Sequence, residues 1–184
     1  MRISITLLQY DHGLIRQVVD VLGEASKQRT VNKHVEEMEE IVGFLDRFMD
    51  GFHHMKEERF VFPVAVENGS LKKEDLEELV AEHEEARTMI ASLREAFSSR
   101  NYDKLCLEGR RMADHMQAHV RKEEDIVFPR IEDRLSPEQD GYLNSMFEDF
   151  MTANFPADLY PRTESFANWV QDRVLGPGYF EYLR

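Results

Sequence analysis

The sequence predicts an all-α protein: an antiparallel up-down-up-down four-helix bundle with an additional C-terminal helical extension. Three observations predict it. Alternating Val-Thr-Ile runs are few, and no Asn-Gly or Asp-Gly pair stands between two of them as a hairpin turn would require. Four long segments place their inward residues at alternating steps of three and four, the seam of near-parallel helix packing. One phrase is also written twice. HHMKEERFVFP (His53 to Pro63) and HVRKEEDIVFP (His119 to Pro129) lie 66 residues apart and agree at seven of eleven positions.

The first helix is expected over roughly 4–28, with Leu8, His12, Ile15, Val19 and Leu22 on its stripe. After a break at Thr30 and Asn32, a second runs over roughly 32–66, facing Met38, Ile41, Val42, Leu45, Phe48, Met49 and Phe52 inward. Asn68, Gly69 and Ser70 close it. The third, roughly 72–98, carries Leu76, Leu79, His83, Ala86, Ile90, Leu93 and Phe97. The fourth, roughly 102–134, carries Leu105, Gly109, Met112, Met116, His119, Glu123 and Ile126. These four span the bundle, residues 1–134, and 135–184 form the extension of the same single domain. Ser136-Pro137-Glu138-Gln139 has the chemistry of a capped start for a fifth helix, roughly 137–154. Pro156 and Pro161 interrupt the chain before a last helix over 162–175. The tail gathers Phe155, Tyr160, Phe166, Trp169, Tyr179, Phe180 and Tyr182. Its two readings are packing across the bundle and a homodimer contact.

With 184 residues, 42% of them hydrophobic and 32% charged, the chain can bury a single sizeable core. A net charge of −13 argues against nucleic acid and anionic membrane as partners. No run of eighteen apolar residues offers a membrane span, and the first residues make a poor signal peptide, so a cytoplasmic location is expected. A lone cysteine, Cys106, excludes an intrachain disulfide and a thiolate cluster, and reads as a small buried hydrophobe.

Several seam positions are polar. His12 and His83 sit where the first and third helices need hydrophobes, and His119 and Glu123 hold consecutive positions on the fourth. A carboxylate buried without compensation is expensive enough to neutralise instead. The order along the chain is His12, then His53-x-x-x-Glu57, then His83, then His119-x-x-x-Glu123. Spacing of i and i+4 puts imidazole and carboxylate on one helix face, one turn apart. Two hairpins so equipped bring two half-sites together, and two neighbouring cations bridged by Glu57 and Glu123 would satisfy every group. Nitrogen and carboxylate donors suit iron, manganese or zinc. No histidine follows a glutamate by three residues, which separates this pattern from the ferritin-like di-iron motif.

On these residues the chain resembles the hemerythrin family, in particular bacterial hemerythrin-like domains with an HHE signature. The resemblance covers about residues 4–134. It implies a non-haem centre of two Fe ions bridged by two carboxylates and an oxo or hydroxo group, with manganese or zinc less favoured. Carried over by position, the metal ligands are His12, His53, Glu57, His83, His119 and Glu123. The family's oxygen carriers place a second histidine on the third helix where this chain has Arg87, and end the last motif in Asp where it has Glu123. His54, whose counterpart in the second phrase is Val120, is the candidate for the missing ligand; the alternative is a helix-flank residue bonded to a neighbouring acid. Glu58 and Glu124, one residue past the ligand glutamates, are expected to bond the ligand histidines or surface partners. Phe62-Pro63 and Phe128-Pro129 are expected to wall the site and to kink or end their helices. His115 reads as a flank or supporting residue, His34 as solvated, and the Glu-rich runs 36–40 and 74–85 as mostly solvent faces.

The expected activity is binding of O2 or a related small oxidant, peroxide or NO, for sensing, storage or detoxification. The alternatives are a di-iron peroxidase, an oxidase or an iron–sulfur repair protein using the same centre, and a structural bundle with zinc or no metal. No residue is assigned a catalytic role.

Overall fold

The computed structural model describes residues 2–179 and is all-helical, with no strand among them. Phe180 and Tyr182 of the aromatic tail lie outside the described residues. Six helices follow in order. They are α1 (Ile3–Lys27), α2 (35–67), α3 (Lys73–Ser98), α4 (102–134), α5 (Pro137–Asn154) and α6 (Leu159–Val174). No helix among the described residues is long and apolar enough to cross a membrane.

Helix ends explain the boundaries. Arg2 gives α1 no side-chain cap, so its free N–H groups turn to another helix: Ile3 and Ser4 both donate to the Asp140 carboxylate of α5 at 3.0 Å. At the other end Arg29 takes a left-handed φ of 56°, and Thr30 N–H reaches back to the Ala25 carbonyl (2.9 Å). α3 ends in the same way, with Arg100 at φ 54° and Asn101 N–H on Ala96 (2.9 Å). Gly69, at φ 74°, closes α2 inside the expected Asn68–Ser70 stop. The Ser136 capping box forms as expected: its hydroxyl accepts from Gln139 N–H (3.2 Å), and the Gln139 side chain accepts from Ser136 N–H (3.0 Å).

Two expectations about prolines are corrected. α6 begins at Leu159, so Pro161 lies in its first turn, where a missing N–H leaves no bond unmade. Pro63 and Pro129 do not end α2 and α4, which continue to Glu67 and Arg134. The chain instead widens into π-helical turns just before each proline, Glu57–Val61 and Glu123–Val127. Phe62 N–H bonds the Glu57 carbonyl and Phe128 N–H bonds the Glu123 carbonyl, each an i→i−5 bond. The extra residue in the turn accommodates a ring that would meet the i−4 carbonyl of an α-helix. It also shifts the register, so Ile126, expected on the seam, is 46% exposed and Val127 is buried in its place. A further π-helical stretch, Leu45–His54, carries the first two histidines of α2.

Apart from Ile126, the first four helices bury the expected stripes, with Leu76 and Phe97 only half-buried. α1 packs most extensively on α4, and also on α5 and α6; α3 packs on α4 and on α2. The α1–α4 contact is close enough that a Cβ on Gly23 would stand 2.7 Å from Ala113 Cβ. The extension joins the common core: Phe155 meets Phe52 edge-on at 5.0 Å, Phe166 stacks on Phe44 at 5.6 Å, and Trp169 stays 44% exposed. Glu37 departs from the solvated reading of its run, being buried and bonded by Arg173 of α6 (2.9 Å). Two apolar clusters make up the core, and on α1–α4 a belt of buried polar residues separates them.

Ala113 has no rotamer to yield, so Gly23→Ala forces backbone apart. Overpacking of about 1–3 kcal/mol then outweighs the gain of about 1 kcal/mol in helix propensity. Gly141 on α5 has nothing within 4 Å of a built Cβ, so Gly141→Ala keeps the propensity gain. Thermal melting should show Gly23→Ala lowered and Gly141→Ala raised, each by roughly 2–4 °C.

Candidate metal centre

The buried belt contains Asp11 and His12 on α1, His53, His54, Lys56 and Glu57 on α2, His83 on α3, and His119 and Glu123 on α4, none more than 2% exposed. All seven residues singled out from sequence as metal ligands converge there. Potential ligand atoms of His12, His53, Glu57 and Glu123 lie within 4.8 Å of one another, as do those of Glu57, His83, His119 and Glu123. A third group within the same limit joins His54, His83 and His119. Glu57 and Glu123 are therefore common to two pairs of histidines, and His54 lies beside the pair His83 and His119.

Each imidazole is aimed from behind by a carboxylate. His12 Nδ1–H donates to Glu124 (3.1 Å) and His83 Nδ1–H to Glu58 (2.7 Å), so both glutamates bond the lone histidine of the opposite hairpin. His53 Nδ1–H donates to Asp11 (3.2 Å) and His119 Nδ1–H to Glu82 (2.8 Å). Every one of these carboxylates also receives a cation. Arg16 grips Glu124 with two nitrogens (2.8 and 3.0 Å), and Arg87 donates to Glu58 (2.6 Å). Lys122 reaches Glu82 (2.8 Å), and Lys56, buried beneath the Phe52 ring, reaches Asp11. Burial pushes all four carboxyl pKa values up, but the histidine, lysine and arginine donors outweigh it and hold them below the usual range, Glu82 at about 2. Ionised acceptors fix the proton on Nδ1, leaving each Nε2 a bare lone pair.

Three of those lone pairs find no hydrogen bond in the protein. Nε2 of His12, His53 and His54 and both oxygens of Glu57 and Glu123 are buried without a hydrogen-bond partner. Nε2 of His83 faces Nε2 of His119 at 3.2 Å. Two acceptors directed at one another, beside two buried carboxylates, require a cation between them. Burial and the Glu123 charge push the Glu57 pKa well up. Burial works the same way on Glu123, but His119 and His12 outweigh it and hold that carboxyl down. His54 is wholly buried rather than on the helix flank and lies with His83 and His119, its Nδ1 toward Asp50 (3.4 Å); Arg87 donates to the same Asp50 oxygen (2.8 Å).

Phe62 and Phe128 wall the centre as expected, lying against His83 (5.9 Å) and His12 (5.3 Å, rings 9° apart). His115 is a flank residue whose Nε2–H donates to the Glu82 carbonyl (2.9 Å). His34 is half-buried at the head of α2, outside the centre. Glu82 corrects the solvated reading of run 74–85. Sequence reasoning missed it as a support, along with Asp11, Lys56, Lys122 and Arg16, and met Arg87 only as a departure. The signal was present: acid-His-x-x-x-Arg occurs at 11–16 and again at 82–87, and the repeated phrase keeps its lysine.

The family model described as the hemerythrin HHE cation-binding domain matches residues 4–131. No curated protein and no solved structure matches the chain.

Stripped of metal by a chelator, the protein should lose stability as pH falls below 6.5. Burial lowers the pKa of His53 to about 4 and lowers those of His54 and His83. Between that value and 6.5 the unfolded chain binds more protons, so acidification favours unfolding. By pH 5 His53 alone contributes on the order of 2 kcal/mol to that loss, at about 1.4 kcal/mol per pH unit. His12 and Glu57 oppose it: Glu123 and Glu124 outweigh burial and raise the pKa of His12, and burial and the Glu123 charge raise that of Glu57. Urea titrations at pH 7.5 and 5 measure the difference, and equal stability at both would contradict neutral buried histidines.

Proposed function

The chain belongs to the hemerythrin HHE cation-binding domain family, and from that premise we propose that it holds two iron ions and binds O2 or a related small oxidant, such as peroxide or NO, for sensing, storage or detoxification. One observation carries the reading: two pairs of histidines share Glu57 and Glu123, and a further histidine, His54, lies beside one pair. His54, His83 and His119 would hold one ion and His12 and His53 the other, with Glu57 and Glu123 shared between them. The two-histidine side would be one protein ligand short, which would leave a position there for an external ligand. Iron supplies redox-active positions suited to imidazole and carboxylate donors.

The chain's own residues set the conditions of binding. Four carboxylates orient the imidazoles, and four cations cancel their charge, so the inner charge is that of Glu57 and Glu123. A centre rich in neutral imidazole and poor in carboxylate favours reversible binding over oxygen activation. Phe62 and Phe128 keep the pocket dry, which strengthens electrostatic interactions inside it. We also read α1–α4 as the antiparallel up-down-up-down bundle of residues 1–134, with 135–184 its extension. The matched pairs of motifs on successive helices support that arrangement.

Metal analysis and visible spectra of protein purified aerobically, then reduced and returned to air, test the reading. Two irons per chain, with oxo-bridge bands that return on exposure to O2, are expected. Absence of iron, or one zinc per chain, would overturn it, and peroxide consumption or irreversible bleaching would move the assignment to a peroxidase or oxidase. His54→Val, which installs the residue of the second phrase, should reduce the content from two irons to one. His115→Ala should retain both; a His54→Val protein that keeps two irons removes His54 from the ligand set.

A further inference from the structure

α6 lies beyond the residues that match the family, yet one of its side chains reaches the centre. The Tyr160 hydroxyl donates to Asp11 Oδ1 at 2.9 Å. The other oxygen of Asp11 accepts from His53 Nδ1–H (3.2 Å) and from Lys56. Asp11 thus answers three donors and is wholly buried. Its counterpart Glu82 takes side-chain donors only from His119 and Lys122 among the described residues, and its side chain is 25% exposed. The two halves of the centre match in the pairs His12–Glu124 and His83–Glu58, and apart from the added His54–Asp50 pair they differ here, on the side that is short of a ligand.

We propose that Tyr160 is a positioning residue of the two-histidine pocket, acting through Asp11 to make the ion held by His53 electron-poor. The proposal rests on the di-iron reading above. A third donor withdraws charge from Asp11 and weakens its hold on the His53 Nδ1 proton. An imidazole held less strongly at Nδ1 donates less through Nε2. The ion in that pocket then has a higher reduction potential and a higher affinity for small anions than it would without the hydroxyl. The extension thereby sets the ligand preference of a centre whose metal ligands all come from the matched domain.

Tyr160→Phe removes the hydroxyl and keeps the ring packed on Tyr10 (5.5 Å) and Phe52 (5.8 Å). Tyr10→Phe is the control, because the Tyr10 hydroxyl bonds Glu164 in the same helix contact and does not touch Asp11. A fluorinated tyrosine at position 160, a stronger donor, supplies the opposite perturbation. Iron content, reductive titration and azide binding are measured on each air-purified protein. The expected result is two irons throughout, with Tyr160→Phe showing a lower midpoint potential for one iron and azide affinity weaker by about threefold or more. The fluorinated protein should shift the opposite way and Tyr10→Phe not at all. Unchanged potential and azide affinity in Tyr160→Phe, or the same shift in Tyr10→Phe, overturns the proposal. Should Tyr160→Phe fail to fold, the fluorinated protein decides by the sign of its shift. Iron-free wild-type protein overturns the centre and this proposal together, whereas a wild type with two irons and unmoved variants overturns this proposal alone.

Discussion

The structure turns on one constraint: two carboxylates and five imidazoles are placed where water does not reach. Neither kind of group tolerates such a position alone, since an isolated buried charge costs several kcal/mol or titrates away. The chain resolves this in two layers. Outer carboxylates are neutralised by Arg16, Lys56, Arg87 and Lys122 and fix the imidazole protons on Nδ1. The inner lone pairs and the two glutamates are left to a cation, consistent with the cation-binding family to which the chain belongs. Most of the unusual features of the bundle follow, including a lysine that is 1% exposed and a core divided into two apolar clusters.

The duplicated phrase has its explanation in this layering. Each of its Lys-Glu-Glu triplets serves three partners. The lysine holds the acid that precedes the lone histidine of its own hairpin, the first glutamate faces the centre, and the second glutamate bonds the lone histidine of the other hairpin. The repeat therefore combines contacts within a hairpin with contacts between hairpins, and neither hairpin satisfies all of its own polar groups. Symmetry fails at two places, and both fall on the centre. Position 54 is His where position 120 is Val, and Arg87 spends a nitrogen on Asp50, which Met116 replaces in the second phrase. The other breach is Tyr160, which has no matching donor on Glu82 among the described residues.

How much of this could be read in advance depended on whether the signal was periodic. The seams, the capping box at Ser136 and the inner histidines and glutamates were legible, because burial at helical spacing makes a polar residue conspicuous. Asp11 and Glu82 were not, since an acid beside a histidine looks like any acid on a helix surface until the neighbouring helix is placed. Glu37 was read as solvated for the same reason, and only the packing of α6 brings Arg173 to it. Ile126 was misplaced because the alternation of three and four assumes an α-helix, and the i→i−5 bond at Phe128 adds a residue to that turn. The left-handed Arg29 and Arg100 carried no glycine to announce them.

The π-turns connect that last failure to the chemistry. In an α-helix the residue five places after a glutamate lies about 140° around the axis, at roughly 100° per residue, and would face away from whatever the glutamate faces. With i→i−5 bonding those five residues make about one turn, so Phe62 returns beneath Glu57 and Phe128 beneath Glu123. From there Phe128 lies flat against His12 and Phe62 against His83, each ring covering the lone histidine of the opposite hairpin. The proline that follows lacks the N–H that would compete for the i−4 carbonyl, and its ring disfavours a return to α-helical bonding at that point. The phrase Val-Phe-Pro after each glutamate is thus a device for turning a helix just far enough to close an apolar wall over the ligands, and the same extra residue removes the simple periodicity by which it might have been foreseen.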